Sequence, residues 1–207
     1  MHPGMLRRPA SGTKPINKDT QVAPAVPARG NAVTRWLGRA LLKIMGWRLI
    51  GELPNRPKFI IAAAPHSSNL DFFLAVGVIL SLGLQCRFLA KASLFHFPLS
   101  LVMRAFGGIP VDRSAANGVV GQMTDTFRRS SKLVLGIAPE GTRKPVAKWR
   151  SGFARIAQAA NVPVQPAVVD YRYKQVTFTA LIEDVSDVSR IVAATQQAAR
   201  SGTPRRG

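Results

Sequence analysis

The chain has only one cysteine, Cys86, and three histidines among its 207 residues. A lone cysteine excludes an internal disulfide bond and leaves the redox compartment open. Cys86 lies within the apolar residues 82–88, where a small buried side chain is expected rather than a nucleophile. Because the histidines and the cysteine show no metal-ligand spacing, we predict that the chain binds no metal.

Long hydrophobic runs are also absent. No segment reaches the roughly 18 consecutive apolar residues of a transmembrane helix, and the longest candidate, residues 72–84, is typical of a buried core helix. Residues 1–29 are rich in Pro, Ala, Lys and Arg and lack the apolar centre of a signal peptide. We therefore expect a cytoplasmic protein whose contact with a membrane, at the cytoplasmic face of the inner membrane, is peripheral or monotopic.

Acidic residues are scarce. The 10 Asp and Glu face 29 Lys and Arg, which gives a formal net charge of +19. Such a surface attracts polyanions, and charge alone does not separate nucleic acid from anionic lipid or acidic protein. With 7% aromatic residues and no recognisable binding motif, we predict no nucleic-acid partner; a basic nucleic-acid-binding module is the alternative from another class.

The length suits one domain with flanking segments. Residues 1–30 are predicted to form a disordered basic tail, residues 31–50 an amphipathic helix for membrane association, residues 51–198 the main domain, and residues 199–207 a flexible tail. One side of the helix at 31–50 carries Trp36, Leu37, Ala40, Leu41, Ile44 and Trp47. The adjoining side carries Arg35, Arg39 and Lys43. This pattern fits a helix in a membrane interface and, equally, an ordinary amphipathic helix packed on the domain.

The main domain alternates apolar runs with helical patterns. The predicted strands are 59–63, 87–90, 108–111, 132–137, 164–169 and 176–181. The predicted helices are 70–82, 98–106, 117–129 and 149–159. This alternation predicts an α/β fold with a mainly parallel central sheet flanked by helices. Such folds bind ligands at the carboxyl ends of their strands.

The first junction between a strand and a helix contains His66 and Asp71. With His66 in the turn and Asp71 in the first helical turn, the carboxylate can accept a hydrogen bond from Nδ1. The imidazole Nε2 is then left to take a proton from a hydroxyl group. The alternatives are that Asp71 only stabilises the N-terminus of the helix through its negative charge and that His66 is an ordinary loop residue.

Cations follow other strands of the predicted sheet. Pro-Glu-Gly-Thr-Arg at 139–143 comes directly after a buried run and ends in Arg143, whose guanidinium suits a phosphate. Glu140 in this run could accept from a glycerol hydroxyl or hold an arginine. Arg113 and Lys91 each follow another strand. A base with three cations at strand ends suits an alcohol acceptor that carries a phosphate.

These motifs resemble those of the glycerolipid acyltransferase family, whose best-known activity is 1-acylglycerol-3-phosphate acyltransferase. His66 to Asp71 resembles the His-x4-Asp signature, and residues 107–113, 139–143 and 162–166 resemble three further blocks in family order. The chain departs from the usual pattern at Pro65, Ala138 and Lys144, which leaves the acceptor open. A lyso-ornithine lipid is the alternative acceptor without a phosphate.

The resemblance implies a fold and roles for the matching residues. It implies the α/β acyltransferase fold, with membrane-binding helices at the N-terminus. His66 is the expected general base, and Asp71 orients it. The residues expected to bind the acceptor are Lys91, Arg113, Glu140, Gly141, Thr142 and Arg143. Acyl-CoA or acyl carrier protein is the expected co-substrate, without a cofactor, and amides near Gly141 are expected to stabilise the oxyanion.

Overall fold

A computed structural model describes residues 15–16, 22–111, 116–142, 146 and 149–205. Its helices are α1 (Ala32–Met45), α2 (Leu70–Leu82), α3 (Leu99–Ala105), α4 (Ala116–Arg129), α5 (Gly152–Ala160) and α6 (Val188–Ala199). A short 3₁₀ helix spans Ala92–Leu94. Its strands are β1 (Arg48–Ile50), β2 (Lys58–Ala64), β3 (Cys86–Lys91), β4 (Gly108–Val111), β5 (Leu133–Ile137), β6 (Val164–Asp170) and β7 (Gln175–Phe178).

The strands form one sheet in the order β1-β7-β6-β2-β5-β3-β4. All neighbouring strands run parallel except the β6–β7 pair, which is antiparallel. The predicted fold class is therefore confirmed, and every predicted strand and helix has its counterpart, although β7 is shorter than predicted. Sequence patterns did not predict β1 and α6. Strand β2 lies between β5 and β6, and all seven residues of β6 are buried, as expected of a sheet covered on both faces.

Helices cover both faces of the sheet. One buried cluster joins the sheet to α1 and α2 through residues such as Leu42, Leu74 and Leu82. The other joins it to α4, α5 and α6 through residues such as Phe127, Ile156 and Ile191. Cys86 is buried at 7% exposure, and this burial raises its pKa to about 12, so it stays a thiol as the sequence indicated.

Helix α1 packs closely against α2. Asn31 caps the first turn of α1 by accepting from the backbone N–H of Thr34. Gly38 faces α2 so closely that a Cβ there would lie 2.3 Å from the backbone nitrogen of Ser81. Val33, Trp36, Leu37 and Ile44, on the opposite side, are exposed.

The predicted extent of this helix needs a correction. Helix α1 ends at Met45 because Gly46 adopts a left-handed conformation with φ 75° and closes the last turn. The chain then reverses into β1, so residues 48–50 form a strand rather than the end of a helix. Trp47 had been assigned to the apolar side of the helix, but it lies in the core at 7% exposure.

The predicted disordered tail at 1–30 is wrong for residues 22–30. Val26 is buried in the core between the sheet and α2. The Arg29 N–H donates to the Gly83 carbonyl, and the Gln85 N–H donates to the Pro27 carbonyl. These backbone hydrogen bonds fix the segment beside the end of α2, where its basic composition alone had indicated disorder. Within the described ranges, none of the helices combines the length and apolar character that crossing a membrane requires.

Candidate active site

The site lies in the turn between β2 and α2. His66 Nδ1 and Asp71 Oδ2 are 2.9 Å apart, with the His66 side chain 29% exposed and the Asp71 side chain 7% exposed. Donation by Nδ1 leaves Nε2 as the nitrogen that can accept a proton. The structure thus brings together the two residues that the sequence selected, with the expected pairing.

Asp71 also organises the backbone of the turn. Its Oδ2 accepts from the N–H groups of Ser67 and Ser68 at 2.8 and 2.9 Å. Asn69 makes no capping bond with its side chain, and at the start of α2 Ser68 Oγ accepts from the Leu70 N–H at 3.1 Å. Burial opposes ionisation of Asp71, but its hydrogen bonds with His66, Tyr171, Ser68 and Ser67 outweigh burial and hold its pKa below the ordinary value.

Glu140 supports the turn from the neighbouring strand. Strands β2 and β5 run parallel with Ala62 opposite Ile137, so the segments after both strands meet at one edge of the sheet. There Glu140 Oε2 accepts from the His66 N–H at 2.6 Å. Burial raises the pKa of Glu140; the hydrogen bond from His66 and the nearby imidazole oppose this rise.

The other residues predicted to bind the acceptor are only partly described. Arg113 and Arg143 lie outside the described residues, and Lys91 is the last residue of β3, with its side chain outside the description. Gly141 has φ 67°, and a Cβ there would lie 2.7 Å from Arg150 Cδ, so the glycine admits this arginine. Thr142 is the next residue of the same turn.

The expectation of an oxyanion donor near Gly141 is not met by Gly141 itself. The Gly141 N–H donates to the Ala138 carbonyl at 3.1 Å, within the turn. This amide is therefore already used, and it does not point free into the site.

Tyr171 belongs to the site although the sequence reasoning did not select it. Its hydroxyl donates to Asp71 Oδ1, the carboxylate oxygen that His66 does not use. Tyr171 directly follows the end of β6, the strand that contains most of the fourth block at 162–166, so an aromatic residue at a strand end was the signal available in the sequence.

The predicted flexible tail at 199–207 is wrong for residues 199–205. Ala199 ends α6, and the residues that follow reach the turn between β2 and α2. The Tyr171 N–H donates to the Thr203 carbonyl at 2.9 Å, and the Arg205 N–H donates to Ser67 Oγ at 2.9 Å. The Arg205 guanidinium also donates to Ser68 Oγ at 3.2 Å.

An open cavity of about 310 Å³ lies beside the turn. Its walls include Pro65 and Glu140, which follow strands of the sheet, and Arg200 and Pro204, which follow α6. This cavity, whose walls include the residue before His66, offers room for a small polar headgroup. Over the described ranges, no group of three or more His, Cys, Asp or Glu side chains could hold a metal ion; the absence of a metal stays a prediction.

An imidazole oriented by a buried carboxylate, at the carboxyl ends of central parallel strands, can activate a hydroxyl group for acyl transfer. A sequence profile described as Acyltransferase matches residues 50–170, more than half of the chain, and the chain therefore belongs to the acyltransferase family. The family match confirms the acyltransferase family that the four ordered sequence blocks predict.

Comparison with individual proteins adds information about the fold. No curated protein matches the chain by sequence. The crystal structure of the 1-acyl-sn-glycerophosphate (LPA) acyltransferase PlsC from Thermotoga maritima is similar, with a TM-score of 0.58 and 18% identity. The match covers 82% of this chain and 76% of that one. At this identity the similarity establishes a shared fold.

Replacing Glu140 tests whether it supports His66 or contacts the acceptor. Glu140→Ala should lower kcat about 10-fold or more with little change in KM, because a hydrogen bond to a charged group contributes about 1.5–3 kcal/mol. Glu140→Gln keeps an oxygen that can accept from the His66 N–H and should retain more activity. The measurement is steady-state acyl transfer, with Glu183→Ala, which removes an exposed glutamate paired with Arg56, as the control. A rise in KM with unchanged kcat in both variants of Glu140 would show a direct contact with the acceptor instead.

Proposed function

We propose that this enzyme transfers a fatty acyl group from acyl-CoA or acyl carrier protein to the free hydroxyl of a lysophospholipid. The preferred acceptor is 1-acylglycerol-3-phosphate, and the product is phosphatidic acid. The observation that carries the proposal is the 2.9 Å contact between His66 Nδ1 and Asp71 Oδ2. This pair lies within the region that matches the acyltransferase family, in a fold similar to that of an LPA acyltransferase.

The reaction begins at the acceptor hydroxyl. His66 Nε2 takes the hydroxyl proton while Asp71 stabilises the imidazolium that forms. The acceptor oxygen attacks the thioester carbonyl, and the resulting tetrahedral intermediate collapses with loss of the thiolate. The imidazolium then returns the proton to the thiolate sulfur. These reaction steps need no covalent acyl-enzyme and no cofactor, and the buried thiol of Cys86 takes no part in them.

The charge of the protein suits all three proposed partners. Coenzyme A, acyl carrier protein and the phosphate headgroup of the acceptor are anionic, and the chain carries +19. Among the described residues, the ion pairs of Lys and Arg with carboxylates are Arg56–Glu183, Arg128–Asp125 and Arg190–Asp187. Acidic side chains therefore neutralise only a small part of the positive charge.

A lipid surface is the proposed setting for this reaction, at the cytoplasmic face of the inner membrane. The exposed side of α1 includes Trp36 at 64% and Ile44 at 84% exposure, beside the cations Arg35, Arg39 and Lys43. Apolar side chains next to cations are typical of a helix that lies in a membrane interface. Phe97, before α3, is a further exposed apolar side chain, at 82% exposure.

Loss of the base provides the test of the enzymatic proposal. His66→Ala should reduce acyl transfer by about 10²–10⁴-fold, the usual contribution of a general base. The assay follows thiol release and labelled product with acyl-CoA and acyl carrier protein donors. The acceptor panel includes 1-acylglycerol-3-phosphate, other lysophospholipids and lyso-ornithine lipid.

His96→Ala is the matched control for this variant, since His96 is an exposed histidine in the segment before α3. It should keep the activity of the unsubstituted protein. Product from lyso-ornithine lipid alone would move the acceptor to the class without a phosphate. If the unsubstituted protein forms product with none of these acceptors, the proposed reaction is wrong.

Membrane contact through α1 has its own test. Replacing Trp36 and Ile44 together with Ala should weaken binding to vesicles that contain phosphatidylglycerol by about 10-fold or more, because each side chain contributes about 1.5–3 kcal/mol when buried. Transfer to a soluble short-chain acceptor should persist. Cosedimentation measures the binding, and Tyr173→Ala, which removes an exposed aromatic elsewhere, is the control. Equal binding of both variants would exclude this side of α1 as the contact.

A further inference from the structure

Tyr171 holds the carboxylate of the catalytic pair from the side opposite to His66. Its hydroxyl donates to Asp71 Oδ1, while His66 Nδ1 and the N–H groups of Ser67 and Ser68 use Oδ2. With a donor on each oxygen, rotation of the carboxylate away from the imidazole would break hydrogen bonds on both sides. By holding Oδ1, Tyr171 therefore helps to keep Oδ2 of Asp71 directed at His66.

The ring of Tyr171 is itself held in place. It packs edge-on against Trp47, with ring centroids 4.9 Å apart and an interplanar angle of 89°. Its backbone N–H donates to the Thr203 carbonyl. The phenol is thus fixed between the segment that follows α1 and the C-terminal segment.

The hydroxyl also stays a donor. Burial raises the pKa of Tyr171, and the hydrogen bond to Asp71 and its negative charge raise it further, while Ser68 and the charge of Arg205 lower it. Among the residues that the structure describes, the charged or titratable side chains that act on the phenol and its carboxylate include His66, Asp71, Glu140 and Arg205.

We propose that Tyr171 is a positioning residue of the acyl-transfer reaction, which orients the Asp71 carboxylate and disperses its charge. This inference rests on the proposed function. Without the Tyr171 hydroxyl, the negative charge of Asp71 is dispersed over fewer hydrogen bonds, and the hydrogen bond from the His66 N–H carries more of it. The carboxylate is then held less firmly, and it aligns the His66 imidazole less well.

Tyr171→Phe removes only the oxygen and is the central variant. It should lower kcat about 10-fold, as expected for the loss of a hydrogen bond to a charged group, and leave KM for the acceptor nearly unchanged. Tyr173→Phe, which removes an exposed hydroxyl two residues away, should change neither quantity.

A double-mutant cycle separates positioning from a general loss of structure. Combined with Asp71→Asn, the Tyr171→Phe change should cost little further activity, because both act through one carboxylate. Independent multiplication of the two losses would overturn the proposal, as would an unchanged kcat of the Tyr171→Phe variant. If the unsubstituted enzyme shows no transfer, it is the proposed function that fails.

A separate observation concerns Arg205, in the C-terminal segment 202–205. Gly202 lies so close to the turn that a Cβ would be 2.7 Å from both Pro65 Cδ and the Val169 carbonyl oxygen. This close approach lets the Arg205 N–H donate to Ser67 Oγ and the Arg205 guanidinium donate to Ser68 Oγ. The two serines are the first and second residues after His66. Arg205 is exposed, so the remaining donors of its guanidinium face solvent.

We infer that Arg205 binds the phosphate of the acceptor, which also rests on the proposed function. In 1-acylglycerol-3-phosphate the free hydroxyl and the phosphate are on neighbouring carbons, so a cation beside the catalytic turn can reach the phosphate. In an acyl-CoA, the phosphates lie beyond the long pantetheine arm. The position of Arg205 therefore favours the acceptor as the source of the phosphate.

Arg205→Ala should raise KM for 1-acylglycerol-3-phosphate about 10-fold or more and leave KM for acyl-CoA unchanged. Arg190→Ala, an exposed arginine at the start of α6, is the control. Gly202→Val, which displaces the segment, should have the same effect as Arg205→Ala. An unchanged KM for the acceptor, or a rise in KM for acyl-CoA alone, would overturn this inference, provided that the unsubstituted enzyme is active.

Discussion

The carboxylate of Asp71 joins parts of the chain that are far apart in the sequence. It accepts from His66, from two backbone N–H groups of the turn, and from Tyr171, which is 100 residues further along the chain. Its place in the first turn of α2 adds the favourable field of the helix N-terminus. Burial would otherwise favour the protonated acid, so these bonds keep a negative charge where the imidazole needs one. The shape of the turn and its chemistry depend on the same four donors.

The sheet provides the second support of the turn. Because β2 pairs with β5 on one side and β6 on the other, the segments after all three strands meet at one edge. Glu140 comes from the β5 side and binds the His66 backbone, while Tyr171 comes from the β6 side and binds Asp71. His66 is therefore held by its backbone and Asp71 by its side chain. Each contact comes from a different strand neighbour, which makes the register of the sheet part of the site.

The sequence predicted most of this architecture from two kinds of signal. Apolar runs bounded by turn residues located β2 to β7, because buried parallel strands need continuous apolar residues. The His66 and Asp71 pair followed from its place at the end of such a run. The strand β1 has only three residues and pairs with the short strand β7, so it leaves almost no pattern. Trp47 fitted the helical periodicity of residues 36–44, and only the left-handed Gly46 turns it into the core.

The end segments escaped prediction for a different reason. Basic composition indicates disorder, whereas residues 22–30 are held by backbone hydrogen bonds and the buried Val26, and residues 202–205 by hydrogen bonds to the turn and to Tyr171. Such bonds require a partner surface at the right distance, which a linear pattern does not encode. The contact between Tyr171 and Asp71 escaped for the same reason, since a sequence separation of 100 residues carries no periodicity.

The position of Tyr171 connects the proposed membrane helix with the catalytic pair. Helix α1 uses Gly38 and Leu42 to pack on the protein, which leaves Trp36 and Ile44 exposed. Large exposed apolar side chains on one helix face need a partner surface, and a lipid interface is the proposed one. The same helix leads directly into Trp47, whose ring supports the Tyr171 ring. Trp47, which is buried in the core just after α1, therefore also packs against the phenol that bonds to Asp71. The positions of α1 and of the His66–Asp71 pair thus both depend on the contact between Trp47 and Tyr171.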